Sequence, residues 1–98
     1  MEIEKIIEEA LRCKVALGIK ALKTFIKEEK LSSSMLASKT GIPQPTAFRW
    51  LKRFCDWGIA EEITGKKGRG RRYKLKDKEK ARKILDELTK VLANLTKE

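Results

Sequence analysis

Gln44, Thr46 and Arg49 lie close together in the chain, and each carries a side chain able to read the edge of a base pair. The Gln amide matches adenine, the Arg guanidinium matches guanine, and Thr bonds to either. Around them stand cations suited to neutralising phosphates: Lys39, Lys52 and Arg53, and a later tract running Gly65-Lys66-Lys67-Gly68-Arg69-Gly70-Arg71-Arg72. That tract has no acid and three glycines. Glycine lets a backbone come close to a phosphate, and arginine can enter a narrow minor groove. Bond-making chemistry has no comparable set. Histidine is absent and Asp56, Asp77 and Asp86 are the only aspartates, so no triad, zinc site or carboxylate pair can be assembled. The expectation is a binding protein and not an enzyme, with no cofactor, metal or small-molecule ligand.

Charge patterning points the same way. Between Lys39 and Lys76 eleven Lys/Arg face three acids (Asp56, Glu61, Glu62), a net of +8 out of +10 for all 98 residues. Both terminal segments are nearly neutral. A solvated surface explains a high charge content, but not its concentration in one part of the chain; a polyanion partner does. The content of Lys and Glu, with one Gln and one Asn, suggests a hyperthermophilic source. No apolar run approaches the roughly 20 residues of a membrane span, and Glu2, Glu4, Glu8 and Glu9 occupy the place of a signal-peptide core. Cys13 and Cys55 have no partners at metal-ligand spacing and read as reduced thiols. A cytoplasmic, nucleoid-associated protein is expected.

These residues need elements to hold them. Ile3, Ile6, Ile7, Ala10 and Leu11 mark an amphipathic helix from Glu2 to about Arg12. Val15, Ile19, Leu22, Phe25 and Ile26 mark a second, to about Glu29, with continuity across Cys13-Lys14 left open and Gly18 a weak point. Ser32 or Ser33 caps a third helix, which ends at Gly41. Pro43 and Pro45 suit the entry and first turn of a fourth, 44–57. Ala37, Gly41 and Ala47 stand where two crossing helices need a small residue, a free turn and an inward apolar side chain. This is a helix-turn-helix pattern.

On the fourth helix Ala47, Trp50, Leu51 and Phe54 face inward. Pro45, Phe48, Arg49 and Lys52 face outward, with Gln44, Thr46 and Arg53 beside them. Phe48 is the apolar outlier: it packs under the following hairpin or against the second helix, or it meets a thymine methyl or a sugar. Gly58-Ile59 ends the helix, and Ile59, Ile63, Tyr73 and Leu75 are the apolar positions of a hairpin around the basic tract. Lys66, Lys67, Arg69, Arg71 and Arg72 are the expected hairpin contacts to DNA, and Ser33 and Lys39 expected backbone contacts.

The tail from Asp77, a plausible N-cap, repeats Ala81, Ile84, Leu88, Val91 and Leu95 in steps of three and four, a heptad seam widened by Leu85 and Leu92. It could pack on its own domain. With the N-terminal stripe it makes two apolar surfaces for a small domain to bury, so a two-fold dimer is expected through Ile3, Ile7, Ala81, Ile84, Leu88, Val91 and Leu95. The organisation is then an N-terminal helix at 1–14, a DNA-binding domain at 15–76 and a dimerisation helix at 77–98.

The stretch Leu36-Ala37-Ser38-Lys39-Thr40-Gly41-Ile42-Pro43-Gln44-Pro45-Thr46-Ala47-Phe48-Arg49-Trp50-Leu51-Lys52-Arg53-Phe54, followed by Trp57-Gly58-Ile59, resembles winged helix-turn-helix regulators of the ArsR, MarR and PadR type. The likeness covers about Val15 to Leu75. It implies a mainly α fold with a small β-hairpin wing, to which the apolar stripes read above add N- and C-terminal helices for dimerisation. It also implies base or phosphate contacts by Gln44, Pro45, Thr46 and Arg49, and wing contacts by Arg69, Arg71 and Arg72. Two departures stand out. Trp50 replaces the smaller residue usual there and is expected to fill space left by Ala47. No metal-sensing Cys/His motif or added ligand domain is present, which argues against effector sensing and makes an unregulated archaeal repressor or activator, or one encoded by a plasmid or virus, the expectation. The expected function is sequence-specific, dimeric binding of double-stranded DNA at an inverted repeat, as a transcription regulator. The alternatives are a plasmid partition or chromatin protein that spreads along DNA and, ranked lower, an RNA-binding or protein-assembly winged helix.

Overall fold

The computed structural model describes residues 2–64 and 71–95. The elements run α1 (Ile3–Leu11), α2 (Val15–Glu28), β1 (Lys30–Ser32), α3 (Ser33–Thr40), α4 (Gln44–Asp56), β2 (Ala60–Thr64), β3 (Arg71–Leu75) and α5 (Lys78–Leu95). Among the described residues five helices thus accompany a three-stranded antiparallel sheet of order β1-β3-β2. The sequence indicated a two-stranded hairpin around the basic tract. In the structure Leu31 pairs with Tyr73, and β1 becomes an edge strand. A three-residue strand carries too little periodicity to be seen before its partner is in place.

Helix ends are set by local chemistry. The Ser32 hydroxyl accepts a hydrogen bond from the Met35 amide at 3.2 Å and caps α3. Gly41 ends α3 at φ 77°, and its amide donates to the Ala37 carbonyl at 2.8 Å. Between them Thr40, the one buried polar residue among those described, donates to the Leu36 carbonyl and accepts from the Ile42 amide. The α3–α4 turn is thereby tied at both ends. Past α4, Gly58 takes φ 81°, its amide donates to the Cys55 carbonyl, and the Ile59 amide donates to the Phe54 carbonyl. This is the two-bond stop that glycine permits at C′. Asp77 caps α5 by accepting from the Lys80 amide at 3.1 Å.

One core holds these elements together. Phe25 of α2 stacks on Phe54 of α4 at 5.6 Å, and Trp50 and Trp57 meet edge-on at 6.1 Å. Trp57 also donates from Nε1 to Glu9 of α1 at 3.2 Å, while Lys80 of α5 donates to the Trp57 carbonyl at 2.9 Å. α1 and α2 are separate helices, broken at residues 12–14. The break lets α1 fold back so that both helices pack on α5.

That return changes the part played by the heptad seam. Ala81, Ile84 and Leu88 are fully buried within the chain, in one cluster with Ile6, Ala10 and Leu22. The first half of the seam expected between chains is therefore an intrachain contact. Ile3 and Ile7 remain half-buried at the edge of the core. Val91 is half-buried, and the Leu95 side chain lies outside the described residues. Two amphipathic helices can cover one another inside a small domain when a turn brings them side by side.

Candidate nucleic-acid interface

α4 is held from behind by aromatic packing. Ala47, Trp50, Leu51 and Phe54 form its buried face, and residues spaced three or four apart share a row on a helix. Pro45, Arg49 and Lys52 therefore run down the opposite side, and all three are exposed. Gln44, Phe48 and Cys55 form one flank, while Thr46 and Arg53 form the other. The inward assignments hold for Ala47, Trp50, Leu51, Phe54 and Tyr73 and the outward ones for Pro45, Arg49 and Lys52, whereas Phe48, expected outward, is half-buried on a flank and packs against the core.

The two flanks meet different neighbours. On the first, Phe48 is half-buried and lines a hollow of about 340 Å³ with Ser33, Gln44 and Pro45. Lys52 Nζ lies 5.8 Å from its ring centroid. Phe48 thus leans on the core edge while keeping part of its face open, a mixture of the two roles its sequence position allowed. Cys55 on this flank faces β2: burial raises its thiol pKa, Lys52 partly offsets this, and Glu62 adds to it.

The second flank faces the turn between α1 and α2. Thr46, Arg49, Trp50 and Arg53 line a hollow of about 250 Å³ with Cys13 and Lys14. Arg53 is not simply an outward cation, because its guanidinium lies over the Trp50 ring at 4.8 Å. Lys14 is absent from the set of residues that sequence pattern singles out. Nothing in its spacing marks a turn residue 35 positions upstream as a neighbour of Arg49.

The remaining expected contacts are partly engaged. Lys39 pairs with Glu28 at 3.7 Å, and Ser33 sits half-buried beside the capped start of α3. Arg72 is exposed and stands opposite Ser32 and Ile63 in the sheet. Arg71 pairs with Glu62 at 3.6 Å, and Glu62 also accepts from the Tyr73 hydroxyl at 3.4 Å. Burial, and then this carboxylate, push the Tyr73 pKa up to about 12. Lys66, Lys67 and Arg69 lie outside the described residues. Among the described residues no group of three or more His, Cys, Asp or Glu is placed to hold a metal, and no helix is long and apolar enough to cross a membrane.

Element order, the tight α3–α4 turn, and a strand pair following α4 with a third strand closing the sheet define a winged helix-turn-helix protein. Solved structures of that class align with 79–95% of the chain. The transcriptional regulator BldR from Sulfolobus solfataricus is 23% identical, over 95% of this chain and 67% of that one, with a TM-score of 0.63. TubR bound to 24 bp of tubC, from Bacillus thuringiensis serovar israelensis pBtoxis, is 22% identical over 92% of this chain and 95% of that one, with a TM-score of 0.61. A mutant MarR from E. coli is 18% identical over 79% and 62% of the two chains, with a TM-score of 0.57. At such identities the likeness establishes the fold. No family model and no curated protein matches the sequence.

Proposed function

We propose that this chain is a sequence-specific, dimeric double-stranded-DNA-binding protein that regulates transcription. The observation that carries the proposal is the composition of the α4 surface: Pro45, Arg49 and Lys52 exposed along a helix whose opposite face is locked by Trp50, Leu51 and Phe54. A helix with side chains is about 10–12 Å across and the major groove about 12 Å wide, so a rigidly backed cationic helix can enter it. Arg49 reads guanine and Gln44 adenine from the groove floor. Lys52, Arg72 and the wing add salt-sensitive affinity. Lys39 and Arg71 add to it when phosphate competes with Glu28 and Glu62 for them. Phe48, open on the Pro45 side, takes the thymine methyl. Among the structural neighbours, BldR is a transcriptional regulator and TubR is bound to 24 bp of tubC, and both support this function.

The dimer rests on the half-buried residues Ile3, Ile7 and Val91 and on Leu11, which is 40% exposed. Two copies would read half-sites about 34–36 Å apart. Selection of bound duplexes from a random pool of about 30 base pairs, near 150 mM salt, tests the reading. An inverted repeat among the bound sequences is the expected result. Binding without a motif, with a footprint that keeps growing as protein is added, would point to a spreading partition or chromatin protein. No duplex binding at all would turn attention to RNA.

A further inference from the structure

We propose that the hollow between the α1–α2 turn and α4 is a phosphate site, in which Lys14 and Arg53 hold one backbone phosphodiester of the duplex that α4 enters. The proposal rests on the DNA-binding reading above and extends it to the second flank of the helix.

Three cations, Lys14, Arg49 and Arg53, line this hollow, and no carboxylate lines it. None of the three has an ion-pair partner among the described residues, whereas Lys39, Arg71, Lys78 and Lys90 all do. Like charges gathered without a counter-charge repel one another, and a bound anion removes that cost. The hollow is also pre-shaped. The Trp50 indole, buried in the core, carries the Arg53 guanidinium on its face and limits its motion. This leaves the guanidinium N–H edge to donate, and Thr46 contributes a hydroxyl at the same wall. About 250 Å³ is ample for a phosphate group with part of its sugar.

Geometry selects a duplex phosphate over a free one. A helix that fills the major groove has a sugar-phosphate strand along each flank. The flank with Gln44 and Phe48 faces Ser33 at the start of α3, and Cys55 further along it lies near Glu62 of β2. The flank with Thr46 and Arg53 faces the α1–α2 turn, so Lys14 is the residue placed to meet the second strand. Arg49, at the rim, belongs to both surfaces.

The test uses the full chain with the selected duplex and a scrambled one, titrated across a range of salt. Lys14→Gln should weaken both duplexes by the same several-fold factor and reduce the salt slope by about 1. Lys14→Glu should weaken them further, with thermal unfolding unchanged in both variants, because Lys14 is an exposed turn residue. A methylphosphonate scan should find one linkage per half-site whose neutralisation weakens the wild type but not Lys14→Gln. Unchanged affinity and slope in Lys14→Gln, while Arg49→Ala still alters specificity, would overturn the site and leave the DNA-binding function standing. Displacement of duplex by inorganic phosphate at constant ionic strength, in the wild type but not in Lys14→Gln, would assign the hollow to a free anion and overturn the duplex assignment. Failure of the wild type to bind any duplex would overturn both proposals.

Discussion

Gly18 of α2 lies against the six-membered ring of Trp50 in α4: a Cβ built at Gly18 would meet Cη2 and stand 2.6 Å from Cζ3 and 2.7 Å from Cζ2. No real Cβ sits that close to a rigid buried ring. The missing side chain is what admits the indole, and with it the platform under Arg53. Gly18→Ala should gain about 1 kcal/mol of helix propensity and lose more to overpacking, typically about 1–3 kcal/mol. Denaturant unfolding should show Gly18→Ala less stable than wild type, and Gly18→Ala with Trp50→Leu should recover part of the loss, as touching residues do in a double-mutant cycle. Additive effects would mean the two do not press on each other.

Arg49 and Arg71 should fail differently. Under the proposed function Arg49→Ala removes a base contact, so discrimination among duplexes should relax by about 1–3 kcal/mol. Arg71→Ala should weaken all duplexes alike and flatten the salt dependence. Because Glu62 holds Arg71 at 3.6 Å, Glu62→Gln should strengthen binding to every sequence and steepen the slope. Equal losses for Arg49→Ala and Arg71→Ala on every duplex would remove Arg49 from base reading.

Thymine-to-uracil replacement probes Phe48 without touching the protein. At one position per half-site, loss of the methyl should lower wild-type affinity, and Phe48→Ala should abolish that difference while still binding. If uracil is tolerated everywhere, the Phe48 hollow is not a methyl pocket.

Tyr73 supplies a pH signature of the fold. Its phenol is raised from 10.0 to about 12 in the folded chain, so the folded state holds this proton more tightly than the unfolded one. The resulting stability is fully present below pH 10 and declines as pH rises from about 10 to 12. Chemical denaturation across that window should fall more steeply for wild type than for Tyr73→Phe. Parallel curves would show that the phenol is not protected by burial and Glu62.

Leu88 and Leu11 separate folding from assembly. Leu88 is fully buried within the chain, and Leu88→Ala should cost about 2–5 kcal/mol of stability. Leu11 is 40% exposed, so Leu11→Ser should leave the chain folded and shift the proposed dimer toward monomer in sedimentation. A Leu11→Ser chain that sediments as the wild type does would place the dimer surface elsewhere.

What the sequence determined by itself is local. Apolar spacing on α4 separated Trp50 and Phe54 from Pro45, Arg49 and Lys52, because one helical repeat sorts faces without reference to any neighbour. Gly41, Gly58 and the residue pair Pro43 and Pro45 located the turn and the ends of α4 for the same reason: backbone conformation at those sites is an intrinsic preference of the residue. Tertiary structure decided whatever depended on elements meeting. It added β1 to the sheet, since Leu31 needs Tyr73 beside it to become a strand. It turned Ala81, Ile84 and Leu88 inward, since a heptad stripe is equally satisfied by a partner chain or by α1 and α2 of its own. It gave Gly18 its purpose, which is room for Trp50 and not helix weakness. And it carried Lys14 to the side of Arg49 and Arg53, a neighbourhood that no spacing along the chain encodes because it arises only when α1 folds back across the core.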